Sequence, residues 1–343
     1  MDIGQDIFSV AEEYDTLFID VYGVLYNGMS LYNGTLDTME ALRKSGKRLI
    51  IVSNSSLVAN DAKIGYEQRG MIEGVHYDKC VTSGEYLNFC FVTKGKDLFR
   101  KQGISVTKIK CLFLGNSNIF VDSQIPKSDL FDEADLMYVG VPIASYGRVL
   151  INDLYDENNN LIPIEDVVHS DWRKLHDSNG NQGPKEFAVI LEKCLEKNKS
   201  LLIANPDIFA HESGGNFVNR IVPVFTQGIL GKYYEKLGGK VAYFGKPYNG
   251  IFEFAKRYAE PDAKILMVGD TPWTDILGAN NSGIDSAMVM TGVSGEFLGD
   301  SDIITNDSFN YLFEEISPKF SNLEGSVRPK HIIKQFAQQI KNI

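Results

Sequence analysis

A chain of 343 residues with 43% hydrophobic and 23% charged residues has the composition of a globular protein and the length for two domains with buried cores. Lysine and arginine number 34 against 45 aspartate and glutamate, a formal net charge of −11, and no basic run stands out, which excludes a nucleic-acid surface as the main function. The acidic balance leaves an anionic substrate open, because a local lysine and a metal ion can reverse the field inside a cleft.

Residues 1–6 lack the basic start and apolar core of a signal peptide, and no apolar run approaches membrane-spanning length; the sequence predicts a cytoplasmic protein with no membrane partner. Cys80, Cys90, Cys111 and Cys194 form no CxxC pair and lie in or beside apolar stretches, so reduced, buried thiols are expected. Leu17-Phe18-Ile19 predicts a buried strand ending on Asp20, with Val21-Tyr22-Gly23 turning beyond it. Alone, Asp20 reads equally as a turn cap and as a nucleophile or metal ligand.

Leu36, Met39 and Leu42 stand at helical spacing and predict a helix from about Thr35 to Ser45-Gly46. A strand over 48–53 follows, ending on Ser53-Asn54, and then a helix near 57–69 closed by Gly70. This alternation predicts a parallel sheet with right-handed crossovers. It resumes as strand 241–244, helix 249–259, strand 264–269, helix 274–282 and strand 285–290, so one sheet is expected from both ends of the chain.

The expected division is a first core part over 1–84, an inserted α/β domain over 85–240, a second core part over 241–320 and a C-terminal extension over 321–343. Within the insertion, strands are expected at 110–114, 136–140 and 200–203 and a helix near 185–197, since a structureless segment this long runs against ordinary loop lengths. The turn-rich stretch 152–183 reads as an exposed excursion. Ser213-Gly214-Gly215-Asn216 reads as a turn or as a substrate-approaching loop. The modestly amphipathic 331–343 is expected to pack on the core, with a partner-binding tail as the alternative.

Ligands of parallel α/β sheets bind beyond the carboxyl ends of the strands, so Asp20, Ser53, Lys246, Asp270 and Asp275 can meet although they are distant in sequence. Clustered carboxylates repel unless a cation joins them, and Mg²⁺ takes a few carboxylates with waters and a phosphate oxygen. Asp20 and Asp270 are the expected direct ligands, the Tyr22 carbonyl a third, and Asp275 a ligand or the holder of a ligating water. Ser53 and Asn54 at the next helix start, with Lys246, are the expected phosphate holders. Each has a plainer reading: Asp270 and Asp275 as helix-start acids, Ser53 as a strand-end hydroxyl bonding backbone, Lys246 as a solvated lysine.

Together, Asp20-Val21-Tyr22-Gly23-Val24-Leu25, Val52-Ser53-Asn54, Gly245-Lys246-Pro247 and Gly269-Asp270-Thr271 through Asp275-Ile276-Leu277-Gly278-Ala279 resemble the haloacid dehalogenase (HAD) superfamily. The likeness is to its NagD-like subgroup, in which a large α/β cap is inserted between the second and third core motifs. Ala204-Asn205-Pro206-Asp207 resembles that subgroup's cap signature and makes Asp207 a substrate-binding candidate. The resemblance implies a doubly wound, mostly parallel, Rossmann-like core. It also implies a phosphatase whose Asp20 attacks phosphorus, with Mg²⁺ bridging the carboxylate and phosphoryl oxygens and Ser53 and Lys246 holding the phosphate of a small phosphorylated metabolite. An exposed cap face offers a homodimer surface.

Tyr22 departs from the pattern, because phosphatases of the superfamily carry there an Asp that protonates the leaving group. General acid–base help is worth roughly 10²–10⁴-fold. A tyrosine of ordinary pKa near ~10 can donate a proton but is a poor base at neutral pH. His169, His176 and His211 are candidate substitutes in the insertion. The alternatives to a phosphatase are a phospholigand-binding protein without turnover and a metal-independent haloacid dehalogenase, whose Asp-x-Tyr-Gly start this chain shares.

Overall fold

The computed structural model describes residues 2–94, 111–114, 130–134, 136–144, 147–151, 154–178, 180, 182–214, 217–299 and 305–338. The chain forms two compact units, one of residues 1–53, 59–82 and 246–343, the other of 54–58 and 83–245. Among the described residues no helix is long and apolar enough to cross a membrane.

The first unit is built on seven strands: β1 (Asp2–Gln5), β2 (Thr16–Ile19), β3 (Arg48–Ser53), β4 (Lys79–Thr82), β5 (Ile265–Gly269), β6 (Asp285–Val289) and β7 (His331–Ile333). Their order is β1-β7-β6-β5-β2-β3-β4, and every pairing is parallel. Leu17–Ile19, Leu49–Val52 and Leu266–Val268 are all fully buried, as continuous apolar runs must be in a parallel sheet covered on both faces. The register sets Ile19 opposite both Val268 and Ile51, so β2, β3 and β5 present their carboxyl ends side by side. Helix Asn249–Lys256 buries Ile251, Phe252, Phe254 and Ala255 along one face.

The second unit carries a four-stranded parallel sheet in the order Val241–Tyr243, Ser200–Ile203, Leu136–Val139, Cys111–Leu114. An antiparallel ribbon of Phe209–Gly214 and Phe217–Phe225 and the helices Ser83–Lys94, Gly183–Glu196 and Gln227–Lys236 complete its main elements. All four cysteines are buried, and none is in a disulfide.

Two expectations are corrected and one is sharpened. The strand expected over 241–244 belongs to the second unit's sheet, where Val241, Ala242 and Tyr243 pair with Leu201, Leu202 and Ile203; a short apolar run carries no local mark of which sheet will hold it. The C-terminal stretch packs on the core as expected, and does so as strand β7, inserted between β1 and β6. The excursion over 152–183 is not simply exposed: Leu154, Val167 and Trp172 are fully buried, and the Trp172 ring stacks on Tyr233 at 4.2 Å. Residues 110, 152, 153, 179, 181, 215, 216 and 339–343, to which some of those expectations extended, lie outside the described residues.

Candidate active site

Asp20 follows β2 directly, and its amide still donates to the Val268 carbonyl at 3.0 Å, so the strand ladder fixes its backbone. Lys246 Nζ lies 2.7 Å from Asp20 Oδ1 and 2.7 Å from Asp275 Oδ1. At 1% exposure it is no solvated lysine; a buried ammonium of this kind needs the two carboxylates as partners. It is not placed by a strand of this sheet, as expected, but by the segment entering helix Asn249–Lys256.

Asp270 follows β5, and the chain then makes a π-helical turn over Pro272–Ile276 before helix Leu277–Asn281. Asp275 Oδ2 accepts from the amides of Asp270 and Thr271, both at 3.1 Å, so the capping role and the site role coexist in one carboxylate. Asp270 Oδ1 accepts from the Thr271 hydroxyl at 3.1 Å and Oδ2 from the Val293 amide at 2.7 Å. Burial, then the charges of Asp275 and Asp20, push the Asp270 carboxyl well above its ordinary range.

Asp20, Asp270 and Asp275 each offer an oxygen within 4.8 Å of the others. Against the single charge of Lys246, three carboxylates leave a surplus of negative charge among these four residues. An all-oxygen donor set with that surplus suits a hard divalent cation.

Ser53 ends β3 and is buried, with the Tyr66 hydroxyl of helix Ala59–Glu67 close by. Burial pushes the Tyr66 hydroxyl well above its usual pKa, so it stays protonated. Tyr22 is 44% exposed, with its ring edge-on to Tyr26 at 5.0 Å. Asn54 and Asp207 belong to the second unit and meet there, Asn54 Nδ2 donating to Asp207 Oδ1 at 2.7 Å. The three histidines also lie in that unit, where His176 pairs with Asn159 at 3.1 Å and the His211 ring stands edge-on to Phe209.

Sequence reasoning missed Tyr66, Thr271 and the turn Thr291-Gly292-Val293-Ser294. That turn follows β6, and asking of β6 what was asked of the other strand tips would have found it.

Residues 17–119 match the family model of haloacid dehalogenase-like hydrolases, and residues 243–307 match that of HAD-hydrolase-like proteins. The two matches carry the first motif and the last acidic motif, the parts of the chain that the fold brings together at Asp20 and Asp270. The chain belongs to the haloacid dehalogenase superfamily. It is 23% identical over 294 residues to a 4-nitrophenylphosphatase of Schizosaccharomyces pombe, covering 83% of this chain and 86% of that one. A haloacid dehalogenase-like hydrolase of Brucella suis shares the fold at TM-score 0.66 and 20% identity, over 96% of this chain and 98% of that one. A glycerol phosphate phosphatase of Mycobacterium tuberculosis in complex with magnesium shares it at TM-score 0.52 and 18% identity, over 86% of this chain and 74% of that one.

Proposed function

We propose that the protein is a Mg²⁺-dependent phosphohydrolase of small phosphorylated metabolites, working through an aspartyl-phosphate on Asp20. The observation that carries the reading is the convergence of Asp20, Asp270 and Asp275 around Lys246 at one edge of a parallel sheet. The phosphatase relative and the magnesium-bound structural neighbour point the same way. Four buried thiols, none in a disulfide, suit the reducing cytoplasm in which we place it.

Asp20 and Asp270, with the Tyr22 carbonyl, are the groups that would hold the ion, and Asp275 would position it. When bound, Mg²⁺ neutralises phosphoryl oxygens and makes the phosphorus a better electrophile. Lys246 restrains the Asp20 carboxylate and supplies positive charge to the same anion, while the Ser53 hydroxyl holds a phosphoryl oxygen. An Asp20 oxygen forms the new bond to phosphorus as the ester oxygen leaves with its electron pair and takes a proton. Water then attacks the same phosphorus, releasing phosphate and restoring Asp20. Tyr22 can donate the first proton but is a weak base for the second step, so good leaving groups are favoured.

Phosphate release from a panel of phosphomonoesters and acyl phosphates, with and without Mg²⁺, tests this on the protein and on Asp20→Asn. Release should need Mg²⁺ and disappear in Asp20→Asn; release that survives the substitution overturns the nucleophile. A protein that binds phosphate and releases none is a phospholigand-binding member instead, the second reading that Tyr22 favours. The surplus of carboxylates speaks against the metal-independent dehalogenase.

A further inference from the structure

The turn after β6 touches the candidate metal site from a side that no catalytic motif covers. The Thr291 hydroxyl donates to the Gly23 carbonyl, the Ser294 hydroxyl to the Asp270 carbonyl, and the Ser294 amide to that same carbonyl at 3.2 Å. With the Val293 amide on Asp270 Oδ2, the turn holds Asp270 by side chain and backbone at once.

The Ser294 hydroxyl and amide meet on one acceptor, so the Asp270 backbone is held at its carbonyl while Thr291 holds the facing Gly23 carbonyl.

Glycine is required where the two turns meet. Gly23 and Gly292 have φ of +83° and +61°, and a Cβ on either would sit 2.0 Å or 2.1 Å from Asp270 Oδ2. A Cβ on Gly292 would also come within 2.4 Å of Gly23 Cα. The Asp270 carboxylate is thus packed against two backbones with no room for a side chain.

We propose that Thr291 and Ser294 are positioning residues of the metal site: they lock the Tyr22-Gly23 turn, and with it the Tyr22 carbonyl, against Asp270. The proposal rests on the phosphohydrolase reading only in taking the carboxylate cluster as a divalent-cation site. Hydrogen-bonded supports of metal ligands typically set 10–100-fold in metal affinity.

Calorimetric titration with MgCl₂ tests it on the full chain, without substrate. Thr291→Val, which keeps the shape and loses the hydroxyl, should weaken Mg²⁺ binding by about 10–100-fold. Thr291→Ser should stay near the wild-type affinity, and Ser294→Ala, which leaves the Thr291–Gly23 bond in place, should fall between. At Mg²⁺ high enough to saturate Thr291→Val, turnover should return toward wild type. Should Thr291→Val not fold, Ser294→Ala decides alone, and wild-type affinity there overturns the proposal. Equal affinities for wild type and Thr291→Val overturn it too while sparing the phosphohydrolase reading. A wild-type protein that takes up no Mg²⁺ removes the metal from that reading and the clamp with it.

Discussion

Lys246 and Asp275 form an ion pair of 2.7 Å in which both side chains are almost completely shielded from water, 2% and 1% exposed. Asp20 shares the same ammonium at the same distance. Breaking a buried pair by removing one partner leaves an uncompensated charge, at a cost of about 3–5 kcal/mol. Lys246→Met, of similar length, should therefore lower unfolding stability by that order without divalent cation. Added Mg²⁺ should recover part of it, and phosphate release should stay absent. Urea melts with and without Mg²⁺ check the first two statements and a phosphate assay the third; unchanged stability would mean that the lysine is not needed to balance the carboxylates.

On the proposed reading Tyr22 takes the place of an acid–base aspartate; its half-exposed ring stands edge-on to Tyr26. Tyr22→Asp should raise kcat on alkyl phosphates by about 10²-fold, the lower end of general acid–base help. The gain on 4-nitrophenyl phosphate should be smaller, because its leaving group needs no proton. Parallel kcat measurements on the two ester classes are the check, and a flat or lower alkyl rate shows that Tyr22 does not occupy an empty acid position.

The strand tips were legible because a parallel sheet buried on both faces forces continuous apolar runs, and the residue ending each run is conspicuous. Asp20, Ser53 and Asp270 were found that way. Lys246 was found for a partly mistaken reason, since Val241-Ala242-Tyr243 is such a run yet pairs in the other sheet. Strands β1, β4 and β7 escaped because three or four residues with polar flanks carry no measurable period. Tyr66 was out of reach for another reason: its place near Ser53 is set by packing, and spacing along the chain does not encode that.

Asn54 comes directly after Ser53, and its amide is anchored on Asp207 at 2.7 Å, while the Asp207 amide is held by Asn205 Oδ1 at 2.9 Å. If Ser53 holds phosphate as proposed, the role to test for Asp207 is fixing Asn54, the next residue in the chain, against offering charge to a substrate. Asp207→Asn keeps an acceptor for Asn54 and should remain within about threefold of wild type in kcat/KM, whereas Asp207→Ala should lose about tenfold, the worth of one charge-assisted hydrogen bond. Inhibition by inorganic phosphate, which has no leaving group to recognise, should weaken in parallel. If both variants fall equally in kcat/KM while phosphate inhibition stays constant, Asp207 touches the leaving group instead.

Asp78 gives the fold a pH dependence of its own, away from the site. Its Oδ1 accepts from Arg43 Nη2 at 2.7 Å, and its Oδ2 accepts from the Leu49 amide at 2.8 Å and from Arg43 Nε at 3.3 Å. Partial burial works to raise this carboxyl, but the Arg43 and Leu49 hydrogen bonds and the charges of Arg43 and Arg48 outweigh it and hold the pKa below the ordinary 3.8. A carboxylate whose folded pKa is depressed contributes its stability above the unfolded pKa, and that contribution disappears as pH falls through the folded one. Asp78→Asn should then destabilise by about 1–3 kcal/mol at pH 7. The gap should hold at pH 5, where the carboxylate is ionised in both states, and narrow only below the ordinary value of 3.8. Urea melts of both proteins at pH 7, 5 and 3.5 measure it. A gap that shrinks between pH 7 and 5 would assign the dependence to another group, since Asp78 binds no proton in that window.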